Sequence, residues 1–273
     1  MKFGFITCVQ LGLSCMETIY RFGNKLDLAI TLPDNKNINK SGRVYIDDFC
    51  KKKNITLIKS SHINNKEVIN AIKENNIDWL FIIGWSQIAS KEILNFTKKG
   101  VIGIHPTLLP QGRGRASIPW AILKDLDKTG VTIFKMDSGI DSGPIIEQIE
   151  ITLNNKITAT TLYKKVIEAH KQLINKVFEL ILQNKLQLFP QDNSKATIWP
   201  SRTPVDGQIN LNGSIYEAEK LVRALTHPYP GAFYFKNGIK QIVWSAKIVD
   251  DINLNEKNNN ILKFFDGYLL ILN

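Results

Sequence analysis

"IDWLFIIGWSQIASKEILNFTKKGVIGIHPT", residues 77–107, is the stretch on which the fold turns. It opens with an apolar run ending at Gly84, continues with helical spacing in "KEILNFT", and closes with a second apolar run, "GVIGIH". Strands that are apolar on both faces belong to sheets covered by helices on each side, and strand–helix–strand is their building unit. The same alternation extends outward. "KFGFITC" (2–8) reads as an opening strand, and "LSCMETIYRF" (13–22) as a helix with Gly23 as its C-cap. "LDLAITLPD" is a strand stopping at Pro33, residues 34–43 form a polar surface loop, and "KEVINAIKENN" is a helix. Downstream, "IPWAILKDL" is a helix, "TGVTIFKM" and "PIIEQIEITL" are strands, and a long helical pattern covers roughly 159–183. The expected fold class is α/β, a doubly wound Rossmann-like sheet.

The texture changes after about residue 190. "FPQDNSKATIWPSRTPVDGQ" (189–208) is rich in proline and polar residues and reads as a connector. Beyond it come a helix ("SIYEAEKLVRAL"), the turn "THPYPGA" and short alternating strands ("FYFKNG", "KQIVWSAKIV", "GYLLILN"). The expected division is a large domain over 1–195 and a small α+β or β-rich domain over 196–273.

Composition narrows the function classes. The 273 residues are 44% hydrophobic and 22% charged, as in an ordinary globular protein with a sizeable core. No apolar run reaches the roughly 18–20 residues of a membrane span. The N-terminal stretch lacks a small-residue cleavage site, so a cytoplasmic location is expected. Cys8, Cys15 and Cys50, odd in number and unrelated in spacing, argue against a disulfide framework or a zinc site. A net charge of +10 invites an anionic partner, yet the lysines are scattered ("FCKKKN", "FTKKG", "LYKKV"). That scatter reads foremost as a solvated surface of biased composition, next as a field attracting a small anion, and least as a nucleic-acid stripe.

Three elements carry chemistry. His105 ends an apolar strand and precedes a proline-rich turn; it reads as a satisfied structural group or as an acid–base group at a crevice. "MDSGIDSGPII" (136–146) holds Asp137 and Asp141 in a glycine-flanked loop, which suits a solvated turn and equally a carboxylate brought close to an imidazole or a substrate. Arg113 and Arg115 form an anion site or plain surface salt bridges. Trp120, Tyr229 and Trp244 suit core packing first and nucleobase stacking second.

Together, "GIHPTLLPQGRG", "GIDSGPII" and the strand end "FIIGW" resemble the folate-dependent formyltransferase family. That family includes methionyl-tRNA formyltransferase, glycinamide ribonucleotide transformylase and the sugar-nucleotide N-formyltransferases. The similarity covers most of residues 1–185, and "WPSRTPVDGQINL" with "LVRALTHPYPGAF" resembles the tail of the sugar-nucleotide and tRNA enzymes. The resemblance implies formyl transfer from the co-substrate N10-formyltetrahydrofolate to a primary amine, with no metal. It implies His105 and Asp141 as the catalytic pair, Gly84, Trp85, Ser86, Ile88 and Asp137 at the folate, and Arg113, Arg115 and Tyr229 at the substrate anion. The family's Asn-x-His motif falls on Gly103 and His105, so the amide donor for the developing oxyanion is replaced by glycine. Gln87, Ser86, Thr107 or a backbone N–H is then the substitute donor. The alternatives are a branch with modified chemistry and a chain that has lost transferase activity.

The expected acceptor is an amino-sugar nucleotide, with a dTDP-4-amino-4,6-dideoxyhexose as the specific choice, for surface polysaccharide synthesis. Methionyl-tRNA is the runner-up, and a non-catalytic folate- or nucleotide-binding module the reading from another class. The short terminal strands also offer an edge for a homodimer.

Overall fold

In the computed structural model, which describes residues 1–36, 38, 40–249 and 260–272, every residue of the strands β1 (Phe3–Ile6) and β2 (Leu28–Thr31) is buried. Between them runs the helix α1 (Gln10–Arg21), and after them come α2 (Asp47–Lys53), β3 (Thr56–Lys59), α3 (Lys66–Glu74), β4 (Trp79–Ile83), α4 (Lys91–Phe96) and β5 (Gly100–His105). The chain continues through β6 (Arg113–Gly114), α5 (Ser117–Leu123), β7 (Lys128–Lys135), β8 (Ile145–Thr152), α6 (Ala159–Leu182) and β9 (Ile198–Trp199). It ends with α7 (Ile215–Ala224), β10 (Ala232–Lys236), β11 (Ile239–Val243), β12 (Ala246–Val249), β13 (Ile261–Phe264) and β14 (Gly267–Ile271).

Among the described residues a seven-stranded sheet has the order β3-β2-β1-β4-β5-β7-β8. The strands from β3 to β5 are parallel, and β7 returns antiparallel to β5. Strand order reverses at β1 and β4, so the carboxyl ends of β1, β4 and β5 flank the crevice where an open α/β sheet presents ligands. Strand alternation sorts the core into two faces. On one, Ile6, Leu28, Ile30, Leu80 and Ile82 pack with Val68, Ile69 and Ile72 of α3 and Ile93 of α4. On the other, Phe178 of α6 lies 4.4 Å from the ring of Phe3 and 5.8 Å from that of Phe81. The doubly wound α/β class is the one observed.

Two compact units group the residues by contact: 1–115, 129–151 and 165–199 in one, and 116–128, 152–164 and 200–273 in the other. The second unit has its own core, in which Ile215, Ala218 and Val222 of α7 meet Ala232, Tyr234, Leu262 and Leu269. Its β10–β11 hairpin closes through Asn237 and Gly238, both at positive φ (52° and 78°), the backbone that a two-residue turn between twisted strands requires.

Details depart from the sequence reading for local reasons. The first helix starts at Gln10 and its C-cap is Phe22 rather than Gly23, which follows it at φ +78°, with Asn24 N–H on the Ile19 carbonyl and Gly23 N–H on that of Tyr20. Elements α2, β3 and β13 occupy stretches where none was expected. Cys50 alone is buried in α2, and β3 lies at the sheet edge without a fully buried residue, so neither carries a periodic signature. "KQIVWSAKIV" is two strands broken at Trp244–Ser245. Of the expected loop 34–43, residues 37 and 39 lie outside the described residues, as does the last residue of "GYLLILN". Among the described residues no helix is long and apolar enough to cross a membrane.

Truncating the aromatic stack tests this core. Phe178→Ala is expected to cost about 3–5 kcal/mol in urea unfolding. A loss below about 1 kcal/mol would contradict the packing described.

Candidate active site

All six residues of β5 are buried, and the strand delivers His105, 7% exposed, to the carboxyl edge of the sheet. The His105 Nε2 lies 2.8 Å from the Gly112 carbonyl oxygen. A carbonyl only accepts, so Nε2 carries the hydrogen and Nδ1 of the neutral ring keeps its lone pair. That Nδ1 lies 3.6 Å from Asp141 Oδ2, too long for a hydrogen bond.

The turn after His105 is held from several sides. Thr132 of β7 donates to the Thr107 carbonyl and accepts from Leu109 N–H, while Gln148 of β8 donates to the Leu109 carbonyl. Thr197 takes the Gly112 N–H on its hydroxyl and the Arg113 N–H on its carbonyl. Gly112 has φ +69°, and a Cβ there would sit 2.8 Å from the Trp199 ring and 2.9 Å from the Thr107 methyl, so only glycine fits. The segment read as a connector therefore builds the site through residues 189–199. Its polar sequence has no apolar period that would have flagged it.

Asp141 has φ +49°, a left-handed backbone that costs a non-glycine residue roughly 1 kcal/mol. Its Oδ2 accepts from Gly114 N–H at 2.9 Å. Asp137 is exposed and organises the loop, accepting from Gly139 N–H and the Ser142 hydroxyl. A Cβ on Gly143 would come 1.9 Å from the Lys135 carbonyl, so glycine lets this loop press against β7. Arg113 is 8% exposed, and its guanidinium donates to Gln191 Oε1 and Asn193 Oδ1. Arg115 is exposed and donates to the Ser86 carbonyl at 2.6 Å.

The loop after β4 is clamped by its neighbours. Gly84, at φ +68°, faces Val9 so closely that a Cβ would lie 2.1 Å from its side chain. Lys40 reaches the Gly84 carbonyl and the Ser86 hydroxyl, and Asn64 donates to the Ile88 carbonyl and accepts from Ser90 N–H. The Gln87 side chain spans to the adjoining loop, accepting from Ile63 N–H and Trp85 Nε1 and donating to the Ser61 carbonyl. Trp85 packs partly on the core, whereas Ile88 is 63% exposed. The hydroxyl of Thr107, buried beside the turn, has no hydrogen-bond partner among the described residues.

Gly103 is not demanded by its backbone. A Cβ there would lie 3.1 Å from Phe134 and 3.2 Å from Met136, whose side chains occupy the space a larger residue would claim. In the second unit, the Trp120 indole donates to the Pro200 carbonyl beneath Lys124 and Arg202, and Trp244 stacks on His227 at 3.9 Å. Tyr229 is half-buried; burial, aided by Tyr163, pushes its hydroxyl above the usual tyrosine range.

The chain is thus an α/β protein whose Rossmann-like sheet holds a buried imidazole and a nearby carboxylate at its carboxyl edge, where such sheets present ligands. A family model described as formyl transferase matches residues 31–178, and one described as formyl transferase, C-terminal domain, matches 202–272. The chain belongs to the formyl transferase family. A methionyl-tRNA formyltransferase of Acetivibrio thermocellus is 29% identical over 96% of this chain and 85% of its own. Among solved structures, the fold is shared with WlaRD, described as a sugar 3N-formyl transferase in the presence of dTDP and 5-N-formyl-THF. That match has TM-score 0.73 and 20% identity over 99% of this chain and 96% of that one. An N-formyltransferase from Helicobacter canadensis, in complex with folinic acid and dTDP-3-aminofucose, matches with TM-score 0.71 and 20% identity over 99% and 98% of the two chains.

His170 on α6, 1% exposed, was not signalled by the sequence. Burial lowers its pKa to about 4, the nearby His105 acts in the same direction, and the Val166 carbonyl at 2.8 Å opposes them. The folded value lies below the unfolded one of about 6.5, so the unfolded chain binds the extra proton. His170 therefore supports the fold fully above about pH 6.5, and that support, at most about 3 kcal/mol, is lost as pH falls toward 4. Urea midpoints from pH 7 down to 4 should fall less steeply in His170→Leu than in wild type. An identical pH dependence would contradict the assignment.

Proposed function

We propose that the protein transfers the formyl group of N10-formyltetrahydrofolate to the primary amine of an amino-sugar nucleotide in the cytoplasm. A dTDP-4-amino-4,6-dideoxyhexose destined for surface polysaccharide is the specific acceptor. The observation that carries the reading is the approach of His105 Nδ1 to Asp141, at 3.6 Å, with Nε2–H fixed on the Gly112 carbonyl. An amine that adds to a formyl carbon must lose a proton as the C–N bond forms. His105 accepts it on Nδ1, and Asp141 stabilises the charged ring. When the carbon–nitrogen bond to the donor breaks, the same proton is available to the departing nitrogen.

The co-substrate supplies the formyl group as an activated amide. The loop from Gly84 to Ser90 suits a flat, amide-like ring: its peptide groups are fixed by Lys40, Asn64 and Arg115, and Ile88 offers exposed apolar surface beside them. Charge that grows on the formyl oxygen needs a donor. With glycine at 103, Thr107 is the first candidate because its hydroxyl is uncommitted, whereas the Gln87 amide already bridges two loops.

Two features support a sugar-nucleotide acceptor. The likeness to WlaRD and the Helicobacter enzyme has TM-scores of 0.73 and 0.71 against 0.61 for a methionyl-tRNA formyltransferase structure of similar coverage, and the lysines form no phosphate-tracking stripe. The methionyl-tRNA formyltransferase relative keeps aminoacyl-tRNA as the second reading.

Incubation with N10-formyltetrahydrofolate and a panel of amino-sugar nucleotides should release tetrahydrofolate with a dTDP-amino sugar. Formylation of methionyl-tRNA with no sugar turnover would overturn the acceptor, and folate binding with no turnover at all would overturn the activity. His105→Ala should abolish transfer while the protein remains folded, with unfolding shifted by no more than about 1–3 kcal/mol for the unpaired Gly112 carbonyl; retention of most of kcat would make His105 structural. Thr107→Val should lower kcat by about 10²-fold, the usual cost of an oxyanion donor. An unchanged rate would remove Thr107 as that donor.

A further inference from the structure

Asp141 presents its carboxylate to His105 from a left-handed backbone. Its left-handed φ of +49° is strained for a residue with a Cβ, and such conformations persist when surrounding groups over-determine them. The side chain that does so is Gln191. Its Nε2 donates to the carbonyl oxygens of Asp141 at 2.8 Å and Gly143 at 2.7 Å, one on each side of Ser142. Its Oε1 accepts from Arg113 Nε at 3.2 Å and Nη2 at 2.7 Å, and Arg113, itself buried, is further anchored on Asn193 Oδ1. The amide is thus committed at both ends, and Arg113 faces amide oxygens here rather than a carboxylate.

We infer that Gln191 is a positioning residue: it fixes the Asp141 loop so that the carboxylate faces His105 Nδ1, with Arg113 as the anchor that orients the amide. Its consequence for catalysis rests on the formyl-transfer reading above. The bond from Gly114 N–H to Asp141 Oδ2 then sets the remaining freedom of the carboxylate. A guanidinium in β6 and an amide in the 189–199 segment therefore act on the reacting pair without touching substrate.

Two variants separate the halves of the bridge. Gln191→Glu keeps an acceptor for Arg113 and removes both donors to the loop carbonyls; Gln191→Met removes everything. The first readout needs no turnover: the His105 ring nitrogen resonances, followed by long-range 1H–15N correlation in the full chain, with Asp141→Ala as reference. In both Gln191 variants they should move toward their positions in Asp141→Ala, and resonances that stay at wild-type positions would overturn the inference. In the second readout, kcat should fall by about tenfold or more in both variants while KM changes less than about threefold, since geometry and not binding is lost. Wild-type kcat in Gln191→Glu would show that only the Arg113 contact matters and would also overturn it. Should wild type turn over no acceptor, the formyl-transfer reading fails, and the resonance comparison still decides the placement of Asp141.

Discussion

One hydrogen bond orders the site: His105 Nε2–H to the carbonyl of Gly112. It fixes which ring nitrogen is basic, and it can form only because the turn between the two residues doubles back on the end of β5. That return depends on glycine at 112, packed where no Cβ fits, and on Thr132, Gln148 and Thr197, which satisfy the turn's backbone from three different parts of the chain. A buried turn without such partners would carry unpaired peptide groups at roughly 1–3 kcal/mol each. The imidazole is thus oriented by the same bonds that make the turn stable.

The sheet was readable because its signal is local. Runs such as "WLFII" and "GVIGIH" are apolar on both faces, and the helices between them carry apolar stripes, so a doubly wound fold follows from pattern alone. What escaped was whatever pattern does not mark. The edge strand β3 and the helix α2 bury too little to show a period. The polar stretch around Gln191, Asn193 and Thr197 has no regular structure beyond a single helical turn and the two residues of β9. Its role comes from side-chain bonds across about 50–85 positions of sequence. Separation of that kind leaves no trace in a single chain.

The site shows the same division. His105 and Asp141 were open to two readings each, and the structure puts their side chains 3.6 Å apart. Arg113, read as an anion site or a surface salt bridge, is buried against amide oxygens, and Gln87 spans two loops. Gly103 is the instructive position. It stands in regular strand backbone, and Phe134 and Met136 fill the room beside it, so packing accommodates a glycine at this position. In the proposed reading, the electrostatic work of the missing amide passes to groups of the turn.

In the proposed mechanism His105 and Asp141 act as one proton-handling unit, and a double-mutant cycle on kcat/KM decides whether they do. Groups acting as a unit are strongly non-additive. His105→Ala with Asp141→Ala should lose no more than the more damaging single variant, because a carboxylate without its imidazole has nothing to stabilise. A double variant whose loss equals the product of the two single losses would show independent roles and contradict the pair.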